Sequence, residues 1–564
     1  MATRLNLKLS PSAAALALLF AAPVWAQTAT PSQSLQGVTV TAKAAPVLDV
    51  DRADVGGFGQ TLAKTPQSIT VLGADLLAAT ASSSLSQAIK LDASLADSYN
   101  TTGYVEGLSV RGFLLDAGTN FLRNGLPVSN YAPIAMENKE RVEVLKGVAG
   151  LQSGVSAPGG LVNFVTKAPQ RDAFTTVSLG ADGNGGSKLH MDANTAWGGV
   201  GVRVNLAAED LHTQFDRADG KREFASVALA THLAPGTKVS ADLEYHHKKQ
   251  PSVPGLGLLD TNGDGVADTL PASNYSRLNL NNQSWSQPFE ASSTNAQITI
   301  DHQINADWQA RLGLGTQRTT IQDRLAFPDG CSTGPNYLYP GLCANGDVDI
   351  YDYRSENEER NTWAWDAKLQ GKLSALGVQH RLSLGLSGRN AKTELNPTQA
   401  YNWVGTNNIN TPVALPGDGT ALDLNTNSRE RALDASASLV SDLTATVQSF
   451  VGLRSSRLTR SSERSDGSRA ISFEQTVTTP WAGLSWSPVA STMLYASWGQ
   501  GVELEAVPNR PTKFVNAGEV LPALKSEQTE LGVKWQAHPR LLVSAAAFNI
   551  DKPFADDQAT ASGI

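Results

Sequence analysis

From about residue 171 to its end the chain repeats one pattern, apolar and polar residues in alternation, and no other feature limits its possible folds as much. "TWAWDAKLQGKL" sets Trp363, Trp365, Ala367, Leu369 and Leu373 on one face, with Ala364, Asp366, Lys368, Gln370 and Lys372 on the other. "RLSLGLSG" alternates Leu382, Leu384 and Leu386 with Arg381, Ser383 and Gly385, and "QARLGLGTQ" and "VRVNLAAED" behave alike. A period of two means strands with one apolar and one polar face. About sixteen such segments can be counted, each of roughly ten residues, the length of a tilted strand that crosses a bilayer. Short turns and long polar loops join them alternately, the asymmetry of an outer-membrane barrel. A soluble sandwich or propeller also alternates, but its strands average about 5–6 residues. Trp363, Trp365, Trp481, Trp486, Trp498 and Trp535 lie in or at the ends of these strands, where an interfacial aromatic girdle belongs. The pattern predicts a transmembrane antiparallel β-barrel.

The first residues are an export signal. Arg4 and Lys8 precede the apolar run "AAALALLFAA" (Ala13 to Ala22), and Ala26 offers a small residue at a cut. Residues 1–26 therefore read as a signal peptide. Pro23 ends the run short of the ~20 apolar residues that a membrane anchor needs. Export leads to an oxidising compartment, so the two cysteines, Cys331 and Cys343, are expected to form a disulfide across one long loop. A net charge of -8, with no basic stripe and no RNA-binding aromatic motif, gives no reason to expect nucleic acid.

Residues 27–60 are polar, rich in Ala and Gly and without helical period, which predicts a flexible leader. Within it "LQGVTVTA" is a short β-prone run. Residues 61–170 read as a compact αβ segment. "TPQSITVLGADLL" suggests a strand running into a helix, and "YVEGLSVRGF" and "FLRNGLPV" are strands with Gly-containing turns. "ERVEVLKGVAGLQSGVSAPGGLVNFVTKAP" (Glu140 to Pro169) closes the segment as strand, glycine-rich loop and strand.

The ordered motifs "TPQSITVL" (65–72), "LSVRGF" (108–113), "LRNGLPV" (122–128), "ERVEVLKG" (140–147) and "SAPGGLVNFVTKAP" (156–169) resemble the TonB-dependent outer-membrane receptors, in particular the ferric-siderophore branch. "LYASWGQGVE" (494–503) and "LPALKSEQTELGVKW" (521–535) extend the resemblance through the barrel. It implies an N-terminal αβ plug domain (61–170) enclosed by a barrel (171–564) of 22 strands in the family. It also implies a TonB box at about 36–42, with Val38, Thr39, Val40, Thr41 and Ala42 as the TonB-binding residues. An unpaired β-prone segment in a periplasmic leader suits strand addition to a partner's sheet. Arg111 and Arg141 match the family's two plug arginines, which pair with barrel-wall glutamates, and Glu530 matches one of those glutamates. Such pairs would form a releasable latch. The implied cargo is iron(III) as a siderophore chelate, with TonB, the ferric siderophore and outer-membrane lipid as partners and no resident cofactor. Plug apices and barrel loops point outward in this family, which nominates Tyr99, Tyr104, Tyr131, Trp285, Tyr337 and Tyr339 for ligand contact. Haem, cobalamin or a saccharide are alternative cargoes.

Other motifs carry less. Gly147, Gly150, Gly154, Gly159 and Gly160 lack the Lys–Ser/Thr pair of a phosphate loop, so tight turning inside a crowded barrel explains them better. "DTNGDGVAD" offers Asp260, Asn262, Asp264 and Asp268 as calcium ligands, but Pro271 stands where an EF-hand needs Glu, so an Asx-rich turn is the expectation. His246 and His247 read as a solvated barrel rim rather than a metal site. No G-x-S-x-G, H-E-x-x-H or other catalytic constellation occurs, so transport rather than enzymatic chemistry is expected. A passive porin or adhesin would lack residues 36–170, and a signalling transducer would need a further periplasmic domain of roughly 80 residues before the box. About sixteen strands against the family's 22, without the closing "GxE" strand, further lead to the expectation of a C-terminally incomplete barrel, a truncated and non-functional receptor being the alternative reading.

Overall fold

The computed structural model describes residues 51–558 apart from 57, 100, 273–275, 335, 336, 512 and 540. The expected signal peptide and the expected TonB box, Val38 to Ala42, lie outside the described residues. The plug is a five-stranded sheet in the order Ile69–Gly73, Lys139–Lys146, Gly160–Thr166, Phe121–Arg123, Leu126–Val128. Strand Ile69–Gly73 runs straight into helix Ala74–Ala79, as "SITVLGADLL" suggests. Asn124 and Gly125 make the turn of the Phe121–Val128 hairpin with φ of 48° and 85°, the mirror-image turn that Asn-Gly favours. The core is apolar: Leu85, Ile89, Leu108, Phe121, Val142, Val144 and Phe164 are buried together. A small sheet of Leu95–Tyr99, Gly107–Val110 and Phe113–Leu114 completes this part.

Among the described residues fifteen strands from Phe174–Ala181 to Leu541–Asp551 build the barrel wall around the plug, close to the sixteen expected, while Thr398–Asn408 and Asp423–Leu424 pair beside it. Neighbours are antiparallel, and continuous registers link each to the next from the first strand to the last. Among the described residues no register pairs Leu541–Asp551 with Phe174–Ala181, and both are exposed along most of their length. Alternation decides what faces where. In Leu524–His538 the residues Ser526, Gln528, Glu530 and Lys534 are buried against the plug, while Leu531 and Trp535 lie on the outer face. The lumen is therefore polar, and the plug's charged residues meet partners there instead of lipid.

Strand Asp347–Ala375 has 29 residues; one edge pairs with Trp308–Pro328, and the other serves two neighbours, its upper part pairing with Thr398–Asn408 and its lower part with Val378–Glu394. The long connections around it do not hang free. Leu280, Ala326, Leu342, Val348, Ile350 and Ile409 bury one another in a small loop core.

Two expectations need correction. The leader is not flexible throughout residues 27–60: within its described part Val55 joins the plug core, and Phe58 is buried against Phe450 and Trp481 at 5.4 and 5.0 Å between ring centroids. The same contact removes Trp481 from the outer girdle. Its alternation parity points it inward, with Phe450 on the neighbouring strand, whereas Trp363, Trp486 and Trp535 are exposed as a lipid-facing girdle requires.

The glycine-rich loop after Lys146 is explained by close approach to the wall. Gly147 has φ 93°, and a Cβ there would run into the Gln528 side chain, whose Oε1 accepts the Val148 N–H at 2.9 Å. A Cβ on Gly150 would meet the backbone oxygen of Gln500. Gly150→Val should lower the stability of the docked plug by about 1–3 kcal/mol. Proteolysis is expected to cut the plug sooner while the far-ultraviolet circular dichroism of the wall is unchanged.

Candidate functional site

One surface carries the chemistry of this molecule, the interface where plug charges meet wall charges. Arg111 is positioned by an unusual turn. Arg111 and Gly112 join Gly107–Val110 to Phe113–Leu114 with φ of 53° and 82°. A non-glycine residue there costs roughly 1–2 kcal/mol, a strain that the rest of the site must hold in place. The turn delivers Arg111 Nη2 to 2.6 Å from Glu530 Oε2, with both side chains almost wholly buried. Phe548 lies 3.8 Å under the guanidinium. The second Glu530 oxygen accepts the Tyr495 hydroxyl at 2.6 Å and the Ser68 hydroxyl at 2.9 Å. Arg111–Glu530 is thus the expected plug-to-wall pair. The pair is buried away from solvent, so losing one partner strands a buried charge.

Arg141 does not reach the wall. Its Nε donates to Glu143 Oε1 at 2.6 Å and its Nη2 to Asp54 Oδ2 at 2.8 Å. Glu143 stands two residues on, on the same face of the strand, and its buried carboxylate also accepts the N–H groups of Asp54 and Val55 and the Asn163 amide. The assignment of Arg141 to a barrel glutamate is corrected: it closes a contact between plug and leader.

The wall holds the plug at further points that sequence reading missed. Glu244 receives Lys139 Nζ at 3.0 Å, Arg123 Nη2 at 3.2 Å and Asn138 Nδ2 at 2.7 Å, and Arg123 also pairs with Asp242. Glu137 lies between Arg222 and Lys188, the latter at 2.6 Å. Lys167 meets Asp192 at 2.9 Å. Burial alone would raise the Glu137 carboxyl, but the Arg222 guanidinium, with Lys188, holds it well below the usual carboxylate range. The only sequence signal for these groups was polar residues at inward-facing positions of alternating strands.

At the mouth, Tyr99 and Tyr104 meet edge to face at 5.9 Å, and Tyr104 packs on Phe289 at 4.9 Å. Arg360 lies 3.5 Å over the Tyr131 ring. Burial pushes both the Tyr104 and Tyr131 hydroxyls up, so they stay neutral donors. Tyr337 and Tyr339 are exposed and nearly parallel, 6.4 Å apart. They continue into a ladder that was not foreseen: Tyr337 Oη is 3.5 Å from Tyr351 Oη, Tyr351 stacks on Tyr401 at 4.7 Å, and Tyr353 and Phe327 flank Tyr401. Tyr351 and Tyr353 alternate along Asp347–Ala375 and so share one side, which Tyr401 of Thr398–Asn408, directly across from Tyr353, also faces. Trp285 is spent elsewhere. It packs in the loop core and donates its indole N–H to Leu415 O at 3.1 Å. Cys331 and Cys343 are disulfide-bonded, as expected, and anchor the loop that carries Tyr337 and Tyr339.

The remaining motifs resolve as structure. Asp260 accepts the N–H groups of Gly263 and Gly265 at 2.7 and 2.9 Å, the expected Asx-rich turn. His246 is not at a solvated rim: it is buried, with Nδ1 donating to Pro133 O at 2.7 Å, because its strand position faces the plug. His247 Nδ1 lies 2.9 Å from the Ser292 hydroxyl.

Comparison with known proteins agrees with this layout. Residues 229–562 match the family model "TonB dependent receptor-like, beta-barrel", and residues 61–161 match "TonB-dependent Receptor Plug Domain". The ferric-pyoverdine M114 receptor PbuA of Pseudomonas sp. (strain M114) is 26 % identical over 346 residues, 59 % of this chain and 39 % of that protein. The ferrichrome outer membrane transporter/phage receptor of Escherichia coli K12 is 22 % identical, covering 60 % of this chain and 47 % of its own length. This chain therefore spans less than half the length of those relatives. Among solved structures, the closed form of the ferric-catecholate import receptor Fiu of Escherichia coli K12 superposes with a TM-score of 0.77, at 16 % identity, over 92 % of this chain and 78 % of that one.

Glu530→Ala should destabilise the docked plug by about 3–5 kcal/mol. Replacing both partners, Arg111→Met with Glu530→Leu, should recover most of that loss, and thermal unfolding of the parent, the single variants Arg111→Met and Glu530→Leu, and the double variant measures the coupling. Because Glu137 is held low, its contribution is complete above the unfolded-state pKa of about 4.3 and is lost as pH falls through the depressed folded value. Plug protection from protease should thus be flat from pH 7 to about 5 and decline only in strong acid, with Glu137→Gln removing that acid limb.

Proposed function

This chain belongs to the TonB-dependent receptor family, and from that premise we propose that it is a receptor and transporter that captures iron(III) as a siderophore chelate and imports it with energy transmitted by TonB. Its barrel is that of a bacterial outer membrane. The observation that carries the reading is the combination of a dry, ion-paired plug inside the wall with a tyrosine ladder at the mouth. Aromatic hydroxyl side chains combine contact area with a polar handle, which suits a chelate that is itself part apolar and part hydrogen-bonding. The ferric-pyoverdine and ferrichrome names of the relatives support the same cargo class.

The need for energy follows from arithmetic. A scavenger binding with Kd of ~1 nM and associating at ~10⁶ M⁻¹s⁻¹ releases its ligand at only ~10⁻³ s⁻¹. Thermal release is too slow for uptake, and the plug closes the way in. Traction by TonB on Val38 to Ala42, joined through the leader to the Asp54–Glu143 contact, would supply the missing work.

Iron-starved cells expressing a complete receptor that carries this chain are expected to grow on at least one ferric siderophore and to lose that growth when residues 36–42 are deleted. Growth that ignores the deletion overturns TonB coupling. Uptake of haem, cobalamin or a saccharide in place of every siderophore tried reassigns the cargo. Tyr351→Ala with Tyr401→Ala should weaken ferric-siderophore binding by about 1–3 kcal/mol, measured by titration on whole cells.

A further inference from the structure

One carboxylate near the mouth is left without a partner. Asp323 is 2 % exposed, yet neither of its oxygens is hydrogen-bonded. Only the N–H of the next residue, Arg324, is turned toward it. Among the described residues every other buried carboxylate has at least one partner. Glu137, Asp192, Glu244 and Glu530 hold cations, and Asp349 holds the Ser332 and Thr406 hydroxyls. A buried carboxylate is tolerated only when a proton neutralises it or a cation meets it.

The wall is shaped around this group. On one side Gln287 and Glu290 face Arg324 and Gln322, and on the other Ser355 and Glu358 face Asp323 and Ile321, so each neighbouring strand carries an extra residue at this level. Bulges of this kind re-aim side chains and are frequent beside binding sites. Rings surround the carboxylate. Tyr99, Tyr104 and Tyr353 stand near enough to feel its charge. Tyr99 meets Tyr104 edge to face at 5.9 Å, and Phe289 packs on Tyr104 at 4.9 Å. Tyr99 is exposed, Tyr104 and Tyr353 are half-buried and Asp323 is buried, so the set runs from solvent inward to the charge. Glu358 is also near, but Arg360 and the Ser355 hydroxyl already engage it.

The chemistry of the set selects the cation. A hard metal ion takes about six or more oxygen ligands, and among the described residues no three acidic, histidine or cysteine side chains converge on one point. An ammonium group asks for less. One carboxylate takes its charge, while aromatic faces add cation–π attraction and contact for its carbon chain. We propose that Asp323 anchors an ammonium group borne by the cargo, inserted among Tyr99, Tyr104 and Tyr353, so that the receptor prefers chelates whose organic part carries a primary amine. This deepens the transport reading and rests on it for the chelate, but on the site alone for the amine.

The test uses a complete receptor that carries this chain, purified in detergent, as the parent and as Asp323→Asn, which keeps the shape and removes the charge. Thermal unfolding is followed with pentylamine, with pentanol and with calcium chloride. Pentylamine should raise the midpoint of the parent, pentanol should not, and Asp323→Asn should respond to neither. Ferrioxamine B, whose chain ends in a free amine, should bind the parent about tenfold more tightly than its N-acetyl form, which has the same iron centre without the charge. Asp323→Asn should erase that difference. Without ligand, Asp323→Asn should unfold at or above the parent's midpoint, since the side chain it replaces has no partner to lose. A lower midpoint assigns Asp323 a structural role and overturns the proposal. So does an absent pentylamine response, an equal response in both proteins, a response to calcium in its place, or equal binding of the two ferrioxamines. A pentylamine response confined to the parent, with no ferric chelate bound, upholds the site and counts instead against the transport reading.

Discussion

Charge confined between two polar surfaces is the constraint on which this structure depends. A plug that fills a barrel finds apolar contact only in places, such as Phe58 against Phe450 and Trp481, because alternation sends most of the wall's apolar residues to lipid and its polar ones inward. Every ionised group caught in the interface must therefore find a partner across it. Strand Leu524–His538 shows how the wall meets this demand. Its inward residues Gln528, Glu530 and Lys534 answer in turn the Val148 N–H, the Arg111 guanidinium and the carbonyls of Leu62 and Gln67. On the other side Glu244 gathers Lys139, Arg123 and Asn138 onto one carboxylate. The register of the wall and the seat of the plug are thus a single arrangement, since a slip of one residue would turn every partner outward.

How much of this was legible in sequence varies with the range of the interaction. The barrel was, because a period of two over long segments is a local signal that tertiary structure rarely overrides. The hairpin turn at Asn124–Gly125 was, because a left-handed turn demands those residue types. Glu530 and the Cys331–Cys343 bond were legible too. Arg141 was misread because two short contacts, one within its own strand and one from the leader, lay nearer than any wall glutamate. Trp481 was misread because girdle and lumen differ only by parity, and an aromatic residue is at home on either side when Phe58 and Phe450 await it. The tyrosine ladder was half seen. Tyr337 and Tyr339 lie in an evident loop, but Tyr351 and Tyr401 become neighbours only through a pairing between strands about fifty residues apart in sequence.

The two kinds of ionic contact also differ in what they ask of the chain. Arg111 is held in a backbone conformation that it would not choose, so the turn, the pair with Glu530 and the Phe548 ring form a set in which each member supports the others. The Glu143 cluster is graded instead, with donors from two sources sharing one acceptor. Cooperative contacts fail together; graded ones yield in steps.

The divided loyalty of strand Asp347–Ala375 has a consequence for how such a molecule changes over time. Below, its register with Val378–Glu394 is part of the wall and tolerates no shift. Above, its register with Thr398–Asn408 builds a ribbon outside the wall, with the Cys331–Cys343 bond beyond its far end and tyrosines on its face. Inheritance can therefore rewrite the ribbon, residue by residue or by exchange of whole loops, while the wall is copied unaltered. Under the function proposed above, diet would be a trait separable from architecture, carried on the two halves of one strand.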